Sequence, residues 1–305
     1  MFDIVGKRFW FFLIAGLVIL VSIISLATPF GRLKPGVEFS SGSLMMVGFE
    51  QEVKKSDLER ELASLGYANA IIQLVGEDDF LIRLPELSGE AKAELEAGLT
   101  ARFDTLEVRE FDTISPMVAA ETARNAGIAV AVAAIGILLY IAWAFRRMPH
   151  PFRYGTCAIV ALLHDVLVAL GVFSILGGVL GWEINLMFVT GILAVIGYSV
   201  NNTVVVFDRI RENLTKYAGS DFEVIVNNSL VESLSRSLNT SATTLFVVLA
   251  LLLFVGASIQ NFAVILLVGI IVGTYSSLCI APQLLVVWRK GEWGRFIGRR
   301  PQLAG

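Results

Sequence analysis

Ser237 to Trp288 reads SLNTSATTLFVVLALLLFVGASIQNFAVILLVGIIVGTYSSLCIAPQLLVVW, 52 residues without one formal charge. As a single α-helix it would run ~78 Å at 1.5 Å per residue, more than twice a ~30 Å hydrocarbon core. The run must fold back on itself. Gly256-Ala257-Ser258-Ile259-Gln260-Asn261 is the expected turn, which makes two membrane spans of it.

Toward the N-terminus the same pattern repeats. Ile184 to Phe207 is one span, and Tyr154 to Leu180 is another, interrupted by His164-Asp165. Asn125 to Phe145 is uncharged and ends in the basic, proline-punctuated turn Arg146-Arg147-Met148-Pro149-His150-Pro151. Trp10 to Thr28 is a 19-residue uncharged run. It exceeds the ~7–15 residues of a signal-peptide apolar core and lacks a clear A-x-A site, so an uncleaved anchor is expected. The total is six spans.

Lys and Arg in short loops set orientation. Lys7 and Arg8, then Arg146, Arg147 and Arg153, then Arg209, Arg211, Lys216 and Arg236, then Arg289, Lys290, Arg295, Arg299 and Arg300 fall on one side. The short loops opposite, around 179–183 and 256–261, have none. The chain is therefore expected in the cytoplasmic (inner) membrane with both termini cytoplasmic and residues 29–123 outside. The expected divisions are 1–28 (N-terminal end and first span), 29–123 (external domain), 124–288 (five spans) and 289–305 (basic tail).

The external segment holds 18 Asp/Glu against 9 Lys/Arg, while the rest of the chain holds 9 against 15. No basic stripe interleaved with aromatics exists, which argues against nucleic-acid binding. Cys157 and Cys279 both lie in apolar stretches without the paired spacing of a metal or redox site. Within 29–123 the pattern alternates. Ser43–Phe49 reads as a strand. Ser56 with Glu59 reads as a capping box opening a helix with Leu58, Leu62 and Leu65 on one face. Ala70–Val75 is β-rich, Gly76-Glu77-Asp78-Asp79 is a turn, and Phe80, Ile82 and Leu84 alternate. Ser88 opens a helix carrying Ala91, Leu95, Leu99 and Phe103, and Thr105–Ser115 reads as the last strand. The order βαββαβ predicts an α+β, ferredoxin-like domain inserted into an all-α, six-transmembrane-helix bundle. No paired catalytic carboxylates, nucleophile with base, or phosphate-cradling glycine loop appears in it.

Polar groups at membrane depth are costly, so each is a functional candidate. His164 and Asp165 are adjacent and should point to different faces. Ser199, Asn201, Asn202 and Thr203 interrupt the fourth span, with Gly191 and Gly197 allowing close helix approach. Arg236 heads a polar stripe of Asn239, Thr240, Thr243 and Thr244, which suits an interior water path or a partner helix. Asp208 ends the fourth span and faces water or pairs with Arg209 or Arg211. Hydrogen bonding between helices is the alternative reading for His164-Asp165 and for the Ser199–Thr203 cluster, and snorkelling to the interface is the alternative for Arg236.

Gly36-Val37-Glu38-Phe39-Ser40-Ser41-Gly42-Ser43 resembles the segment G-[IV]-D-F-x-G-G-[ST] of the SecD/SecF family. Leu163-His164-Asp165-Val166 resembles that family's third-span motif. Gly197-Tyr198-Ser199-Val200-Asn201-Asn202-Thr203-Val204-Val205-Val206-Phe207-Asp208-Arg209-Ile210-Arg211-Glu212-Asn213 is similar to G-Y-S-[LIV]-N-D-T-[IV]-V-x-x-D-R-I-R-E-N, and Ser233–Ser241 to S-[LI]-x-R-[ST]-[LIV]-N-T-S. The resemblance covers nearly the whole chain. It implies a non-enzymatic subunit of the Sec export machinery within the resistance-nodulation-division superfamily. Such a subunit works with SecD, the SecYEG channel and YajC on preprotein substrates, needs no cofactor, and couples proton flow to movement of the external domains. On that resemblance Arg236 is an electrostatic gate, and Asn202, Asp165, His164, Asn201, Ser199, Asn239 and Thr240 line the ion pathway. Gly36, Glu38, Phe39, Gly42, Gly197, Tyr198, Asp208, Arg209 and Arg211 carry the family pattern. Two positions depart from it. Asn202 stands where the family has Asp, and an amide cannot carry a proton. That leaves a carboxylate of SecD or Asp165, a Na⁺-coupled site, or a passive subunit. Ser41 replaces one glycine of the G-G pair, a mild change because serine is tolerated in most turns.

Overall fold

A computed structural model of the chain describes residues 3–29, 31, 33–75, 79–147, 150–254 and 257–293. Its elements in order are α1 (Arg8–Ala27), α2 (Val37–Ser40), β1 (Gly42–Gly48), α3 (Lys55–Ser64), β2 (Ile71–Val75), β3 (Asp79–Leu84), α4 (Gly89–Phe103), β4 (Glu107–Ile114), α5 (Pro116–Phe145), α6 (Pro151–Leu180), α7 (Leu186–Lys216), α8 (Phe222–Phe254), α9 (Ala257–Cys279) and α10 (Ala281–Lys290). Gly76, Glu77 and Asp78 of the expected turn, Met148, Pro149, Gly256 and the tail residues Arg295, Arg299 and Arg300 lie outside the described residues.

Among the described residues, six helical segments are long and apolar enough to cross a membrane. The sixth is α9 continued by α10, interrupted at Ile280 ahead of Pro282. Proline lacks an N–H and clashes with the preceding turn, so it sits at the start of a new helix rather than inside one. Their starts follow local chemistry. The Asn185 side chain accepts a hydrogen bond from the Phe188 N–H at 2.9 Å to open α7, and Pro151 opens α6. The turn expected at 256–261 is shorter, because Ala257 to Asn261 already belong to α9.

The four strands form one antiparallel sheet in the order β2-β3-β1-β4. Alternation decides its faces. Met45, Val47, Ile72, Phe80, Ile82 and Leu84 point to one side and are buried under Leu58 and Leu62 of α3 and Leu95, Leu99 and Phe103 of α4. Burying each such side chain contributes ~1.5–3 kcal/mol. The opposite face, with Leu44, Met46, Leu81, Glu110 and Asp112, turns toward the loop between α6 and α7.

The capping box is not formed. Helix α3 starts at Lys55 with Lys54 at its cap and no side-chain capping bond. Ser56 is already inside the first turn, and Glu59 pairs with Lys55 at 3.8 Å instead. Ser88 does cap α4, accepting from the Ala91 N–H at 3.2 Å.

Ser41 is not a mild change. Its backbone sits at φ 63°, ψ 166°, a region essentially reserved for glycine and costing other residues ~1–3 kcal/mol. The next residue, Gly42, has φ 125°, and a Cβ there would lie 2.6 Å from the Leu84 carbonyl oxygen. The chain needs this double reversal to leave α2 and enter β1 beside β3. Because Ser41 makes no hydrogen bond through its hydroxyl among the described residues, Ser41→Gly is expected to stabilise the intact chain by ~1 kcal/mol, the relieved strain less the extra backbone entropy of glycine. A thermal melt in detergent should move up by a few degrees; a lower midpoint would show that the serine conformation is not strained.

Candidate functional site

Asp165 lies 14 residues into the 30-residue α6, ~21 Å along a ~45 Å rod and so near its middle. It is fully buried. Its Oδ2 accepts hydrogen bonds from Ser199 Oγ of α7 at 2.5 Å and from Ser276 Oγ of α9 at 2.6 Å. Its Oδ1 lies 2.9 Å from His164 Nδ1. The neighbours expected on different faces therefore meet: ~100° of helical rotation separates them, which two side chains bent toward each other can span. His164 Nε2 has no partner among the described residues. The His164 ring lies 6.3 Å from that of Tyr275, whose hydroxyl donates to the Phe11 carbonyl of α1 at 2.7 Å. One carboxylate thus ties together three helices.

Close approach of α7 and α9 makes this geometry. A Cβ on Gly191 would lie 1.9 Å from Ile265 Cγ2, and one on Gly269 2.0 Å from Val195 Cγ2. A Cβ on Gly273 would come within 3.3 Å of Ser199 Cβ and 3.7 Å of Asp165 Oδ2. The three contacts recur every four residues along both helices, a small-residue seam of the kind that packs membrane helices. Gly197, expected to serve the same end, has nothing within 4 Å. Six residues from Gly191 is ~600° of rotation, which turns it to the far side.

Beside this hub runs a second polar chain. Tyr198 donates to Ser241 Oγ of α8 at 2.8 Å, and Ser241 Oγ lies 2.6 Å from Thr274 Oγ1 of α9. Ser229, Ser233, Ser237 and Ser241 form the buried stripe of α8. Asn202 is buried, and its Nδ2 has no partner among the described residues. Ser276, Thr274 and Ser241 were not among the residues singled out from sequence. The signal for the first two is the polar run Gly273-Thr274-Tyr275-Ser276-Ser277 inside the long apolar stretch.

The stripe that was singled out on α8 faces away from this chain. Arg236, Asn239, Thr240 and Thr243 are exposed, as is Asn201 of α7. The Thr243 and Thr244 hydroxyls donate back to carbonyls of their own helix. Arg236 has no ion pair among the described residues. At the same end, Asp208 pairs with Arg211 at 2.6 Å, while Arg209 holds Glu212 at 2.6 Å and Glu232 of α8 at 2.7 Å.

The Gly36–Ser43 segment docks the four-stranded sheet on the loop between α6 and α7. The Gly36 N–H donates to the Ile184 carbonyl at 2.8 Å, and the Ile184 N–H to the Lys34 carbonyl at 2.8 Å. Arg83 of β3 donates to the Pro35 carbonyl at 2.9 Å and to Glu183 at 2.5 Å, and also reaches Ser40. Phe39 is half-buried. A cleft of about 440 Å³ lies here between the open sheet face and the α6–α7 loop. Burial pushes Glu38 and Glu183 above the usual carboxylate range, with Asp112 adding to the effect on Glu38; Arg83 opposes it for both. Among the described residues no group of three or more His, Cys, Asp or Glu could hold a metal ion.

Residues 94–291 match the family model "Protein export membrane protein SecD/SecF, C-terminal". Protein translocase subunit SecF of Thermobaculum terrenum is 44% identical over 311 residues, covering 98% of each chain. Protein translocase subunit SecDF of Bacillus subtilis is 36% identical, over 95% of this chain but 38% of that protein. The crystal structure of SecDF from Thermus thermophilus, described as a translocon-associated membrane protein, superposes with a TM-score of 0.83 at 34% identity. It covers 95% of this chain, which spans only 39% of the SecDF chain. With six apolar helices and these relatives, this multi-pass membrane protein belongs to the SecD/SecF family.

Proposed function

We propose that this chain is a SecF-type subunit of the Sec protein-export machinery. It acts with SecD to drive late-stage preprotein movement across the cytoplasmic membrane at the expense of an ion gradient, with the SecYEG channel and YajC as further partners. The observation that carries the reading is the unpartnered polar face of α7 and α8. Arg236, Asn239, Thr240 and Asn201 are exposed on a surface that, in a membrane, would meet lipid. A charged residue there costs several kcal/mol unless another polar helix covers it. The SecDF relatives carry more than half their length outside the part matched here, which supports a second membrane half, SecD, as the cover. Both termini are then cytoplasmic. Residues 29–123 form an external domain, ferredoxin-like in view of its βαββαβ order and β2-β3-β1-β4 sheet, between an anchor at 1–28 and five spans over 124–288, with 289–305 as tail. One charge moving through 100 mV releases ~2.3 kcal/mol, enough to bias such a domain between positions.

The test is preprotein translocation in inverted vesicles carrying this chain and its SecD, with H⁺ and Na⁺ gradients collapsed in turn. Late translocation should fall when the coupling gradient is lost, and Arg236→Ala should remove the dependence. Asn202 supports a second reading, a passive scaffold for SecD, because the family's usual carboxylate is missing. Translocation indifferent to both gradients, to Arg236→Ala and to Asn202→Asp would establish that reading instead.

A further inference from the structure

At the basic edge of the bundle a cavity of about 120 Å³ is lined by His150, Arg153, Tyr154, Phe222, Leu285 and Arg289. Three of the six carry or can carry positive charge, and neither arginine has an ion pair among the described residues. The carboxylates of the neighbouring segments are already committed: Glu223 to Arg8 and Lys290, and Glu292 to Arg8. Arg289 is fixed over the Phe222 ring at 4.0 Å from its centroid, which leaves its planar N–H fork available. Arginine in that state binds phosphate with two parallel hydrogen bonds.

Two further features point into the cavity. It lies at the N-terminus of α6, a 30-residue helix whose cap, His150, is left-handed and makes no side-chain capping bond. Such an end carries about half a positive charge, although Pro151 offers no N–H and the Arg153 N–H already donates to the His150 carbonyl at 3.0 Å. Tyr154 is only 3% exposed, yet its hydroxyl has no hydrogen-bond partner among the described residues. Its ring is held by Phe145 and Phe207, with centroids at 6.1 and 5.3 Å. Tyr154 lines the cavity, so an acceptor bound there would give its hydroxyl a partner.

We propose that Arg153, Tyr154, Arg289 and His150 form a site for a phosphate group, supplied by the headgroup of an anionic phospholipid. The membrane setting favours the lipid over free phosphate: the edge rich in Lys and Arg faces the leaflet that carries anionic lipid. A bound headgroup would clamp the start of α6 to the start of α8 and to α10; Glu223 and Lys290 already join the last two, and no ion pair among the described residues joins α6 to either.

The full chain in detergent would be titrated with phosphatidylglycerol, phosphatidylethanolamine or inorganic phosphate and read by native mass spectrometry. Phosphatidylglycerol should be retained in preference to phosphatidylethanolamine. Arg153→Gln and Arg289→Gln should each weaken it about fivefold, at ~1 kcal/mol per surface cation. Tyr154→Phe, which keeps the ring packing and so the fold, should weaken it about threefold. Arg146→Gln, on an arginine stacked over Trp143 outside the cavity, should change nothing. Retention of inorganic phosphate without phosphatidylglycerol, lost in the same variants, would keep the phosphate site and reject the lipid source. Equal retention of both lipids together with no phosphate, or retention unchanged in all three cavity variants, overturns the proposal.

Discussion

Asp165→Asn is expected to abolish the stimulation of translocation by an ion gradient while leaving a folded, membrane-inserted chain. The argument rests on what the two side chains share. Asparagine keeps the volume and one oxygen acceptor, so Ser199 on α7 and Ser276 on α9 retain something to donate to. What it lacks is the ability to exist as an anion. A carboxylate that is fully buried at mid-helix, held by two hydroxyls and a histidine, is an expensive group to keep if a neutral amide would serve. Asp165→Ala separates structure from chemistry. It removes two hydrogen bonds to other helices at ~0.6 kcal/mol each, the average for such bonds between membrane helices, and the one to His164 within α6, so roughly 2 kcal/mol of stability should go with it. The expected pattern is therefore a stable, uncoupled Asn variant and a destabilised, uncoupled Ala variant, read by gradient-collapse translocation assays and by melts in detergent. Full gradient stimulation in the Asn variant would show that Asp165 is a polar rivet between helices and that the ion path lies elsewhere.

How far this site could be read from the sequence depends on which helix face each residue takes. The six spans were legible because a hydrocarbon core demands ~20 apolar residues per crossing. The sheet core was legible because Phe80, Ile82 and Leu84 alternate. The start of α8 was not: it lies at Phe222, fifteen residues before the apolar run at Ser237. Glu223 and Glu232 interrupt the hydropathy, yet Phe222, Ile225, Val226, Ser229, Leu230 and Ser233 continue one buried face at helical spacing. Asp165 stood out as an acid in a span, but its partners did not. Serines in membrane helices commonly bond their own carbonyl four residues back, as Ser229, Ser233 and Ser241 do here. Only packing selects the serine that turns to a carboxylate. The polar stripe below Arg236 was visible as a stripe, but without a second chain its orientation could not be fixed; in this chain the inward stripe is the one of serines.

Gly269→Val should be the most damaging single substitution in the α7–α9 seam. A Cβ on Gly269 would sit 2.0 Å from Cγ2, 2.6 Å from Cγ1 and 2.8 Å from Cβ of Val195. All three are atoms of a β-branched side chain with little rotamer freedom in a helix, so the helices must move apart. Overpacking of this kind costs ~1–3 kcal/mol, and the branched valine should reach the upper end. Gly269→Ala is the finer test, because two effects oppose each other. Alanine gains up to ~1 kcal/mol of helix propensity over glycine, but its methyl cannot fit without displacement, so a net loss of ~1–2 kcal/mol is expected. Adding Val195→Ala should recover most of that loss, a coupling of 1 kcal/mol or more in a double-mutant cycle. Gly197→Ala, on α7 beside Val195 with nothing within 4 Å, serves as the control and should be neutral or stabilising in melts of the isolated chain. Function should track the seam as well. Ser199 lies one turn beyond Val195 and faces Gly273, so separating α7 from α9 withdraws Ser199 from Asp165 and loosens Ser276 on the other side. Gly269→Val is then expected to lose gradient-dependent translocation together with stability, with Val195→Ala restoring both in the Gly269→Ala background. If Gly269→Ala melts with the parent chain and still couples, the close approach of the two helices is not what holds the carboxylate in place.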